Sequence, residues 1–220
     1  MVSLKPLFLL TAIAGSLTSL INPVQAAQII QPQSALTDLG ESGSSILDRA
    51  INQSGLSVNY TNGVTDFQDY LSGNPTHSFL GSTWVSQLTL PGSVTFDLGS
   101  VFDLDAIAMW GTSGLFSAEN FELFASLTGE DGSFVSLGSF VQNLESGNET
   151  AQVFNFSTTT AQFIRMDITS SHIFNNRVGI GEVAFSGSNV TTQTTPEPAS
   201  LVALLGLGGL GFTSHLKKRK

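Results

Sequence analysis

From residue 90 onward the chain reads as short apolar stretches separated by turn residues. Val94, Phe96 and Leu98 fall on one face and Thr95 and Asp97 on the other, the period of two expected of a half-buried strand. Residues 105–110 (Asp-Ala-Ile-Ala-Met-Trp) form a more continuous apolar run, as in a strand buried on both faces. Further strands are predicted over 121–126, 133–140, 151–156, 162–168 and 178–185. Gly, Ser, Asn and Asp fill the joints, as in Gly129-Glu130-Asp131-Gly132. Only one short helix is predicted, over 45–52. Seven or more short strands without alternating helices predict an all-β sandwich or jelly roll. Residues 27–44 read as a polar lead-in and 45–187 as a single domain. Residues 188–195 read as a Ser/Thr/Gln-rich linker.

The two ends carry a different pattern. Lys5, the apolar run 7–14 and Val24-Gln25-Ala26 have the order of a secretory signal over 1–26, cleaved by signal peptidase between Ala26 and Ala27. The last residues have three parts: Pro196-Glu197-Pro198, the Leu/Gly-rich run 201–212, and Lys217-Lys218-Arg219-Lys220. Twelve apolar residues rich in Gly fall short of the roughly 20 that span a bilayer. Cations beyond them hold the tail on the cytoplasmic side. The pattern predicts export of the body with transient membrane contact through the tail.

Charge narrows the choice of partners. The 220-residue chain has a net charge of −9. Residues 27–195 carry three basic and sixteen acidic side chains, a net of −13. Such a body repels phosphate backbones, which excludes nucleic acid. It does not adhere to an anionic membrane by charge. The absence of cysteine removes disulfides, thiolate catalysis and Cys-ligated zinc. No Gly-x-Ser-x-Gly, His-Glu-x-x-His or phosphate-loop motif occurs. The neighbouring acids Asp103 and Asp105, and Asp66 and Asp69, are what sixteen acids produce by chance. The body reads as non-enzymatic.

Residues 195–220 resemble the PEP-CTERM sorting signal, whose members are processed by an exosortase in Gram-negative bacteria, often ones that make exopolysaccharide. The resemblance implies cleavage near Pro196, Glu197 and Pro198. A second resemblance covers residues 45–187. Trp84, the strand Gly92 to Gly99 with its Asp97-Leu98-Gly99, Ser126 with Asp131-Gly132, the strand Gln162 to Met166, and Gly181 to Phe185 are similar to the ordered motifs of discoidin-type domains. These are the coagulation-factor C-domain-like modules of the galactose-binding-domain-like fold. The chain departs from the pattern in lacking the terminal disulfide and in having Gly63 to Phe67 and a long insert before Trp84 in place of the early Asp-Gly-Thr-Trp region.

The discoidin resemblance implies a β-sandwich with ligands taken by loops at one end. Candidate glycan ligands there are His77, His172, Phe174, Asn175, Asn176 and Arg177, which combine rings, amides and a guanidinium. It also implies a structural calcium, with Glu182 on the last strand and Asp66 or Asn62 from the early loop as oxygen donors. Trp84 and Trp110 read as core. The resulting expectation is an exported, non-catalytic module that binds surface or matrix exopolysaccharide. The alternative is a structural or adhesive matrix protein without a defined ligand.

Overall fold

In a computed structural model, the structure describes residues 26–78, 81–112, 116–144, 149–172 and 177–190. The fold is all-β and antiparallel, built on two very long strands. In chain order the elements are β1 (Gln28–Ile30), β2 (Ser34–Thr37), a 3₁₀ turn (Leu47–Ala50), α1 (Phe67–Ser72), β3 (Thr76–His77), β4 (Trp84–Val85), β5 (Gly92–Trp110), β6 (Asn120–Ser126), β7 (Val135–Val141), β8 (Glu149–Ile168), β9 (Gly179–Ile180) and β10 (Glu182–Asn189).

The stretches 94–98 and 105–110, expected as two strands, are the two halves of β5. The stretches 151–156 and 162–168 are likewise the halves of β8. The first half of β5 pairs with the second half of β8, Val94 with Met166 and Phe96 with Ile164. The second half of β5 pairs with the first half of β8, Ile107 with Phe154 and Trp110 with Ala151. The register shifts between Asp97 and Phe102, so each strand leaves one layer of the sandwich and enters the other. Gly99 sits at this corner with φ +75. The positive φ favours glycine at this corner, and an added Cβ there would also displace the end of the Gln33 side chain, 2.1–2.4 Å away.

The front layer runs β2, first half of β5, second half of β8, β6, β7. The back layer runs β1, β10, second half of β5, first half of β8, with β3 added to β8. Val94, Phe96, Leu98, Ile164, Met166, Leu123 and Ala125 of the front face Ile30, Ile107, Met109, Val183 and Phe185 of the back in one apolar core. Phe96 and Phe185 meet edge to face across it at 5.9 Å. A second register shift, between Leu104 and Ala106, lets Leu104 and Ile107 face the same core. Ala106, Ala108 and Trp110 then point outward. They are covered by Tyr60 and Phe67 of the insert, with Ile29 and Ala184, in a smaller second core. This is why the 105–110 run is apolar on both faces. Trp84 and Trp110 are both fully buried, as expected of core residues.

Three features differ from expectation. Residues 27–44 are part of the sheet: β1 pairs with β10 and β2 with β5. The insert contains α1, which Asp66 caps by accepting a hydrogen bond from the Asp69 amide at 2.8 Å. The expected helix over 45–52 is a four-residue 3₁₀ turn.

The layered core makes a direct prediction. Phe96→Ala should cost about 3–5 kcal/mol, as a buried ring lost to a cavity does. Leu36→Ala should shift stability by less than about 0.5 kcal/mol, because Leu36 is 76% exposed on the neighbouring β2. Denaturant unfolding of both variants checks this, and comparable losses would contradict the core assignment.

Candidate functional site

One end of the sandwich collects most of the strand junctions. β5 starts and ends there, as do β6 at its start, β7 and β8 at their ends, and β10 at its start. The connections at this end are woven together by backbone bonds. Trp84 pairs with Ile180, Ser117 bridges Gly179 and Ala118 bridges Ser171. The Ser86 amide donates to Val178 O at 2.7 Å, and the Gly179 amide to Phe116 O at 2.7 Å. Ser86 Oγ accepts from the Val178 amide at 3.0 Å and donates to Leu88 O at 3.0 Å. Ser117 Oγ accepts from the Thr112 amide at 2.9 Å. Sequence reading missed these small hydroxyl residues, since a Ser in a Ser-rich chain carries no signal of its own.

Two of the expected ligand residues lie in this frame. Arg177 donates from Nε at 2.7 Å, and from Nη2, to the carbonyl of Ser86. Its guanidinium therefore ties the loop at Ser86 to the segment at 177–178. His172 donates its amide to Ser117 O at 3.2 Å, and its Nε2 lies 2.7 Å from Gln142 O. Phe174, Asn175 and Asn176, which join them in sequence, lie outside the described residues.

His77 is corrected: it is not on an exposed loop. It lies in β3 opposite Glu149 of β8 and is 1% exposed. Its Nε2 is 3.0 Å from Ser54 O, and its Nδ1 has no hydrogen-bond partner. Burial pushes its pKa below the usual histidine value, so the ring is a neutral packing element. Glycines make room for it: a Cβ on Gly55 would come within 2.7 Å of Nε2 and one on Gly181 within 2.8 Å of Nδ1.

The three expected metal ligands have separate roles. Asn62 is exposed and its Oδ1 accepts from the Gln31 amide at 2.9 Å. Asp66 caps α1. Glu182 is 0% exposed at the start of β10; its Oε2 accepts from the Gln53 amide at 2.7 Å, and its Oε1 has no hydrogen-bond partner. Burial, opposed by the Gln53 bond and reinforced by Asp48, pushes its pKa up to about 9. The side chain of Gln53 extends the cluster, accepting from the Tyr60 amide at 2.9 Å and donating to Gln31 at 2.9 Å. The Tyr60 hydroxyl is buried without a partner, and burial with the nearby Glu182 raises its pKa. Among the described residues no three His, Asp or Glu side chains converge to hold a metal. Glu182 fits a cation, because a buried carboxylate oxygen without a partner calls for one or for a proton. Asn62 Oδ1 and Asp66 Oδ1 each accept from a backbone amide, and neither is hydrogen-bonded to Glu182.

Residues 194–220 match the PEP-CTERM protein-sorting motif. No curated protein matches the chain. Among solved structures, the sandwich is similar to the family 32 carbohydrate-binding module of Clostridium perfringens NanJ, in complex with galactose. The TM-score is 0.50 and the identity 16%, over 73% of this chain and 98% of that one. It is similar to the module CBM32-3 from a family 31 glycoside hydrolase of Clostridium perfringens, with TM-score 0.51 and 16% identity over 73% and 92% of the two chains. A third similar structure is a Clostridium perfringens family 32 module in complex with GalNAc-β-1,3-galactose, with TM-score 0.50 and 14% identity over 73% and 99%. These likenesses show the fold: the body is an all-β sandwich with the fold of those modules. The chain thus joins a PEP-CTERM sorting motif to that sandwich.

Proposed function

We propose that this chain is an exported, non-catalytic module that binds cell-surface or matrix exopolysaccharide, and that the loop end of the sandwich receives the sugar. The observation that carries the reading is the Arg177–Ser86 anchor, which holds the loops around 86–88 and 177–178 in one frame. Such preorganisation lowers the cost of ordering loops on a ligand. The similar solved modules hold galactose and GalNAc-β-1,3-galactose, which makes these the first sugars to try. Arg177 acts as a positioning residue. Hydrogen bonds from a charged donor contribute about 1.5–3 kcal/mol, which here stabilises the loop frame and bounds the effect on binding, so Arg177→Ala should weaken sugar binding by up to about a hundredfold in calorimetric titration. Arg177→Lys, which keeps one charged donor, should recover part of the loss. Equal affinity across the three proteins moves the site elsewhere. Absence of binding by the wild type favours the structural or adhesive reading.

Export and sorting belong to the same proposal. In it, signal peptidase cuts after Ala26, and an exosortase acts at the tail while the tail contacts the inner membrane of a Gram-negative cell. No helix among the described residues is long and apolar enough to cross a membrane. Ala27 already accepts a hydrogen bond from the Phe67 amide at 3.0 Å, so a cut just before it leaves the body's backbone bonding intact. The mature protein should begin at Ala27 and lack Lys217 to Lys220, and replacing Pro196-Glu197-Pro198 with alanines should leave a membrane-held form. Mass spectrometry of the exported protein checks both ends. Lys220 on the mature chain would refute the sorting.

Calcium, where the body holds it, meets Glu182 Oε1. An ordinary Glu ionises near 4.5, whereas this one is pushed up to about 9. Between those values the unfolded chain has released the proton and the folded chain still holds it. The protonated carboxyl's contribution is therefore complete below about 4.5 and is lost as pH rises to about 9. In chelator, Glu182→Gln should remove this decline. At pH 8, calcium at a hundredfold excess over Kd should return about 2.7 kcal/mol to the wild type and nothing to the variant. Melting curves with calcium and with chelator read both effects. A wild-type melting temperature indifferent to calcium rejects the metal, and parallel pH profiles reject the buried acid.

A further inference from the structure

The front layer has an outer face that the loop site does not use. Register places Leu36, Thr95, Arg165 and Phe124 in one row across four strands of that face. The hairpin joining β6 and β7 folds back over this row. Gly129, at φ +72, sits so close to Phe163 that an added Cβ would lie 3.0 Å from the ring. Phe134 follows it down, and the Arg165 guanidinium lies between Phe134 at 4.6 Å and Phe124 at 4.7 Å.

The folded hairpin leaves a cleft of about 630 Å³, running from Asp38 and Pro91 across Thr95 and Arg165 to Asp131 and Phe134. That lies within the roughly 300–1,000 Å³ of small-molecule sites. Its chemistry is mixed. Arg165 donates from Nε to Asp167 Oδ1 at 2.8 Å and from Nη2 to Oδ2 at 3.2 Å, which neutralises its charge and leaves Nη1 without a protein acceptor among the described residues. Asp38 accepts from the Ser93 amide at 2.6 Å. The Thr95 hydroxyl and the Asp131 carboxylate make no hydrogen bond among the described residues. The cleft thus offers a guanidinium donor, a hydroxyl, carboxylate acceptors and the flank of a ring.

We infer that this cleft is a second saccharide site, one that takes a neutral polysaccharide chain along its length. A hydroxyl-rich pyranose uses every one of these groups: it donates to carboxylates, accepts from Nη1 and lays its C–H face on a ring. The charge decides the class of sugar. With Arg165 already paired to Asp167, the carboxylates of Asp38 and Asp131, neither of them in an ion pair among the described residues, repel a uronate. A cleft laid across a sheet face suits a stretch of chain, whereas loops at a sandwich end suit its tip. The inference stands apart from the loop-site reading.

The test is heteronuclear NMR titration of the mature exported protein with mannohexaose, cellohexaose and hexamannuronate, and separately with galactose. At least one neutral hexaose should shift the Arg165 Nε–Hε signal and the amides of Thr95, Gly129 and Asp131. Hexamannuronate should leave them in place. Thr95→Tyr and Asp131→Ala should each weaken that response at least fivefold, with the loop residues' response to galactose unaltered. Shifts confined to the loop end, equal shifts with hexamannuronate, or no shift with either neutral hexaose would overturn the inference. Loss of the galactose response alone would overturn only the loop site.

Discussion

The whole architecture depends on two strands being shared by both layers. An antiparallel sheet with one apolar face must cover it, and here the sheet does so by folding onto itself. β5 and β8 cross from front to back together, paired along both halves. The turning corner sits at Gly99, where a side chain would strike Gln33 and where φ is positive. Because both strands return to the same end, that end gathers their first and last residues. Loops that are distant in sequence, such as 84–86 and 177–180, become neighbours there. The opposite side of the same geometry is the broad front face, which no second layer covers.

This dependence explains which parts of the fold were legible in the sequence. Period-two alternation identifies 94–98 and 162–168, whose outer residues are polar or half-exposed. The apolar run 105–110 is recognisable as buried on both sides. What covers its second side was not legible. The insert earns its place through Tyr60 and Phe67 packing on Trp110 and Ala108, and nothing in its local pattern announces that contact. β1 and β2 were missed because three- and four-residue edge strands carry too few positions for a period. Long-range pairing with β10 and β5 makes them strands. The Asp66 cap was legible in principle, as an Asp with Asp69 three residues on.

The site was legible by region rather than by residue. His172 and Arg177 both pack among the connections at the loop end, and their chemistry depends on partners far away in sequence. Arg177 was expected to face a ligand, and it faces the Ser86 carbonyl, 91 residues away. His77 was expected on a loop. A two-residue strand opposite Glu149 buries it, and two residues show no period. Glu182 was singled out for a metal by its place on the last strand. Its burial and its bond to Gln53, 129 residues away, depend on how the first loops close over the sheet.

Charge then limits how any sugar is held. Residues 27–195 contain only three cations. Arg165 is paired with Asp167 and stacked between two rings, Arg177 is bound to a carbonyl, and Arg49 lies on the 3₁₀ turn. Two of the three are therefore committed to holding the fold's own segments in place. A body of net −13 with its cations so placed has little positive charge to offer an acidic polymer, and at physiological salt its field fades within about 8 Å. Binding in such a protein has to come from stacking, shape and hydrogen bonds to hydroxyls, none of which salt screens strongly. Under the proposed function, that combination favours a neutral glycan over an acidic one.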